Sequence, residues 1–68
     1  MSLYMFMILL AEAKVYLANQ EERWNYGYPG GSPSRVSHAR EQLYMLIMDN
    51  QDLYHEYAMT YGTWMPTP

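Results

Sequence analysis

From Arg35 to Tyr61 the apolar positions recur in alternating steps of three and four residues. Val36, Ala39, Leu43, Leu46, Asn50, Leu53 and Tyr57 fill the a and d positions of a heptad, with one amide, Asn50, among them. Ile47, Tyr54 and Tyr61 fall at adjoining e positions. This spacing predicts one amphipathic helix over 35–61. Its stripe is broader than the seam of a two-stranded coiled coil and suits a bundle. His38, Glu41, Asp49, Asp52, His55 and Glu56 make the opposite, polar face. Ser32 and Pro33 offer an N-cap and a first-turn proline, with Ser34 as an alternative cap, and Gly62 offers a left-handed stop.

The first half of the chain carries a weaker pattern. Leu3 to Leu10 is apolar on every side, and no clean stripe emerges as far as Trp24. Strong helix formers dominate from Ala11 onward. A lone strand would have no partner within this chain, so a helix over about 3–25 is expected. A strand paired with its symmetry mate is the competing expectation for 3–10. The apolar run is too short to span a bilayer, which takes about 20 residues, and no basic residue precedes it as in a secretory signal. Between the two segments, NYGYPGGSPS reads as a loop over about 26–34. Residues 62–68 read as a short tail in which Trp64, Met65 and Pro66 form a plug or a docking peptide. The chain is therefore expected to be all-α, a single domain built as a two-helix antiparallel hairpin.

Size changes that picture. A chain of 68 residues hides only about 60% of the surface it exposes when unfolded. It has no cysteine to staple the fold, and half of its residues are apolar. Association with identical copies is the remaining common solution. The expected assembly is a homo-oligomeric helical bundle, most simply a dimer of hairpins. Its seam would be Leu43, Leu46, Ile47, Asn50, Leu53, Tyr54 and Tyr57. Within that seam Asn50 either pairs with its copy to fix register or sits at a wet edge.

Candidate chemistry is sparse. Four basic residues against seven acidic ones, for a net charge of -3, do not suit a protein that binds nucleic acid by neutralising phosphates. No cysteine nucleophile or nucleophile-elbow serine is present. Asp52 with His55, and His38 with Glu41, have the carboxylate–histidine spacing of metal-holding bundles, with Glu12 as a further donor. The heptad turns those groups outward, so no metal or cofactor is expected. Tyr44, Met45 and Met48 point away from the stripe, and Met and Tyr suit a surface that grips a partner. In the loop, Tyr26 and Tyr28 are read first as rings that close one end of the bundle. The alternative is a subunit-interface pocket of Tyr26, Tyr28, Arg35 and Arg40 that sequesters an anionic or nucleotide-like molecule. The leading expectation is a cytoplasmic, non-enzymatic interaction protein. It would act as an oligomeric adaptor or inhibitor of another macromolecule, a class to which viruses and mobile elements contribute many small chains.

Overall fold

The computed structural model describes residues 1–62 and contains three α-helices and, among the described residues, no strand. The tail with Trp64, Met65 and Pro66 lies outside the described residues. Helix α1 spans Leu3–Tyr26, α2 spans Pro33–Asp49 and α3 spans Gln51–Tyr61. Residues 3–10 are helix, as expected. Ser2 caps them, its Oγ accepting from the Met5 amide at 3.1 Å.

The punctuation works as the residue types require. Gly27 takes φ 70°, ψ 25°, the left-handed C′ conformation that a Cβ disfavours. Its amide and that of Tyr28 satisfy the last α1 carbonyls at Trp24 and Arg23. Ser32 caps α2 by accepting from the Arg35 amide at 3.2 Å, and Pro33 follows in the first turn. Gly31 is required by close approach: a Cβ there would lie 2.5 Å from the Arg23 carbonyl oxygen. Any side chain at 31 would lift the loop off the end of α1. At Gly62, which ends α3, φ 91° and ψ 162° differ from the expected left-handed helical stop.

The core is made by two faces that meet. Phe6, Leu10 and Leu17 of α1 pack with Val36, Ala39, Leu43 and Ile47 of α2. Phe6, Leu10 and Leu43 are completely enclosed. On α1 the inward positions Leu3, Phe6, Leu10, Ala13, Leu17 and Gln20 step by three and four, a regular stripe after all. Gln20 ends it as a buried polar residue whose Oε1 has no hydrogen-bond partner; the same is true of Arg40 Nε.

The expectation of one helix over 35–61 is corrected at Asn50. There the backbone takes φ −134°, ψ 48°, outside helical geometry, and α2 gives way to α3. Asn50 is half-buried, and its side-chain amide donates to the Leu46 carbonyl at 2.9 Å. Asparagine competes for backbone hydrogen bonds in this way and so favours helix ends. A straight helix over 35–61 would be about 40 Å long, yet the long axis of the molecule is only 37 Å. Instead α3 leans on α1 and barely on α2. Leu53, Tyr54 and Tyr57 pack half-buried on the core, and the Lys14 ammonium lies 5.6 Å from the centre of the Tyr57 ring.

Candidate interaction surface

On the outer side of α2 the helical repeat brings Ser37, Arg40, Glu41, Tyr44, Met45 and Met48 along one groove of about 310 Å³. The spacing does this directly: 37, 41, 44, 45 and 48 lie three or four residues apart and so stand on one side of a helix. Met45 and Met48 are 55% and 64% exposed, and Tyr44 is half-buried at the groove's inner wall. The three residues picked from sequence are therefore neighbours around one concavity. Arg40 and Glu41 give it a charge of each sign.

Arg40 stands apart from the ligand group to which the sequence assigned it. It lies more than one turn along α2 from Arg35 and lines the methionine groove. Tyr26 and Tyr28 stand out from the single chain. They are 71% and 56% exposed, their rings 6.1 Å apart and tilted 37° against each other. Beside them, Arg23 and Arg35 converge. A Cβ added to Gly30 would lie 3.4 Å from Arg35 Nη1 and 3.8 Å from Arg23 Nη1.

The seam residues have partners inside the chain. Leu43 and Ile47 are buried against α1, and Leu46, Leu53, Tyr54 and Tyr57 are half-buried around them. That leaves little of the predicted stripe for a second copy. Glu12, His38, Glu41, Asp52 and His55 are all exposed, and among the described residues no three His, Asp or Glu side chains come together. His38 Nε2 instead lies 3.1 Å from Gln42 Nε2. Among the described residues no helix is long and apolar enough to cross a membrane.

The sequence reading missed a second groove, of about 420 Å³, on the outer side of α1, lined by Ala11, Glu12, Val15, Tyr16 and Asn19. Its signal is in the sequence: a second set of apolar residues at helical spacing, opposite the first. No protein-family model matches the chain, and no curated protein or solved structure matches it.

Proposed function

We propose that the chain is a small, non-enzymatic interaction protein: α1 and α2 fold back as a helical hairpin, the hairpin self-associates, and α2 presents the groove at Tyr44, Met45 and Met48 to another protein. It acts as an adaptor or inhibitor, in the manner of small proteins from viruses and mobile elements. The observation that supports this is two exposed methionines flanking a tyrosine in one concavity. Thioether chains adapt to the shape they meet, and a tyrosine ring adds area at small entropic cost. Arg40 and Glu41 at the same groove supply the polar contacts that fix orientation.

The test is a double substitution, Tyr44→Ala with Met48→Ala. These side chains lie outside the core, so helicity and melting are expected to stay close to the parent, a loss of about 1 kcal/mol or less. Affinity capture from the native host is expected to recover a protein with the parent chain and to lose it with the variant. Equal recovery on both, or recovery on neither, refutes the reading.

A second reading, sequestration of an anionic small molecule, has one observation in its favour. Arg23 and Arg35 bring two guanidinium groups together over Gly30 in a chain of net charge -3. A nucleotide held there, with Tyr26 or Tyr28 stacked on its base, would stabilise the folded form and raise its melting temperature. A thermal-shift series with nucleoside mono- to triphosphates is expected to show a rise of several degrees with at least one of them. Unchanged melting with all of them removes this reading and leaves the first intact.

A further inference from the structure

Helix α1 carries two apolar stripes, and only one is covered. Leu3, Phe6, Leu10, Ala13 and Leu17 face the core. On the opposite side, Tyr4, Ile8, Ala11, Val15 and Ala18 repeat the same alternation of three and four. That side faces away from α2 and α3. Tyr4 is 72% exposed and Val15 60%; Ala11 and Ala18 are exposed and Ile8 is half-buried. No charged residue falls on this stripe through Ala18.

We propose that this face binds the same face of a second copy, with the two α1 helices antiparallel and Tyr4 of each seated in the groove at Val15 of the other. The proposal rests on the self-association in the reading above and gives it an interface.

Three observations select a second copy as the occupant. The first is self-complementarity. Antiparallel heptads pair an a position with a d position, and a two-fold axis between residues 9 and 10 sets Tyr4 against Val15 and Ile8 against Ala11. Each layer joins a larger side chain to a smaller one, and each pair occurs twice. The groove of about 420 Å³ beside Ala11 and Val15 then has a ring to fill it. The second is charge. In this register Glu12, on the rim, lies nearest Met5 of the other copy, so no two carboxylates are forced together. A lipid surface is disfavoured, because the rim carries Glu12 against a single lysine, Lys14, and the stripe itself ends in Glu22, where a membrane-binding helix carries several lysines and arginines. The third is area. Overlap of the helical residues 3–16 runs for about 21 Å and covers roughly 500 Å² per copy, at the lower limit of a stable, specific interface.

The test uses the full chain. Sedimentation equilibrium at about 100 µM is expected to give twice the 8.1 kDa chain mass. Ala11→Lys with Val15→Lys changes two exposed positions to good helix formers, so helicity is retained while association weakens roughly a hundredfold. The register is tested by disulfide formation, since the chain has no cysteine of its own. Tyr4→Cys mixed with Val15→Cys is expected to give a cross-linked dimer under mild oxidation. Neither variant alone should do so, because like positions are about 16 Å apart along the pair. A parent that sediments as a monomer overturns both this proposal and the self-association behind it. A dimeric parent with no mixed cross-link, or with a double-lysine variant still dimeric, overturns this face alone. Cross-linking of each single variant with itself would show a parallel pair and overturn the register. If the lysine variant fails to fold, the cysteine mixture decides.

Discussion

Leu43→Asp leaves the chain without stable helical structure at 25 °C. Leu43 is completely enclosed between α1 and α2, among Phe6, Leu10, Leu17, Ala39 and Ile47. A carboxylate at that point has no cation within the cluster and no route to water. It must either remain charged in an apolar site or take up a proton at a cost. Adding the lost apolar burial, the penalty is about 4 kcal/mol or more. A 68-residue domain has a total stability of only about 3–10 kcal/mol. Circular dichroism at 222 nm is the measurement, with Leu46→Asp beside it. Leu46 is half-buried, so its aspartate can lean into solvent and the fold survives with a smaller loss. Equal damage from both substitutions would mean that α2 is rotated from the orientation described.

Phe6→Ala is the second large effect. Phe6 is the largest of the fully enclosed side chains and lies near the start of α1. Removing its ring forfeits transfer energy and leaves a cavity that the short α1–α2 contact cannot collapse around. The expected loss is about 3–5 kcal/mol. At roughly 4–8 °C per kcal/mol for a domain this size, the melting temperature falls by about 20 °C. Phe6→Leu restores most of the volume and is expected to recover more than half of that. A Phe6→Ala variant that melts within 5 °C of the parent would show that the first turns of α1 are not docked on the core.

What the sequence made legible follows the physics of each element. The caps were readable because they depend on one or two residues: Ser32, Pro33 and Gly27 act where they stand. Val36, Ala39 and Leu43 were readable because the heptad and the true helical repeat agree over two turns. Beyond that they part. A straight α-helix drifts by about 20° per heptad against a 3.5-residue repeat, so the inward side passes from Leu46 to Ile47. Ile47 is buried and Leu46 only half so. The break at Asn50 was hidden for a related reason. Its position in the heptad reads as a buried amide in a continuous seam, and nothing in the spacing shows that its side chain takes the Leu46 carbonyl instead. In α1 two opposed stripes blur one another into a segment apolar all round. Counting steps of three and four from each residue in turn separates Phe6, Leu10 and Leu17 from Tyr4, Ile8 and Val15. The groove at Tyr44, Met45 and Met48 was legible because those residues have no place in the core pattern.

Helix α3 has no fully buried residue and no side-chain hydrogen bond at its N-cap. It is attached through a single non-helical residue and rests on α1 by half-buried tyrosines and Leu53. Its undocking therefore exposes little apolar surface while the Phe6–Leu43 cluster stays closed. The chain is therefore expected to open in two steps, α3 first and the Phe6–Leu43 cluster last. Hydrogen exchange at the amides of α3 passes through that small opening, whereas exchange near Leu43 waits for global unfolding. Each opening uncovers more of the side of α1 around Ala13 and Lys14, which the closed molecule leaves half-buried.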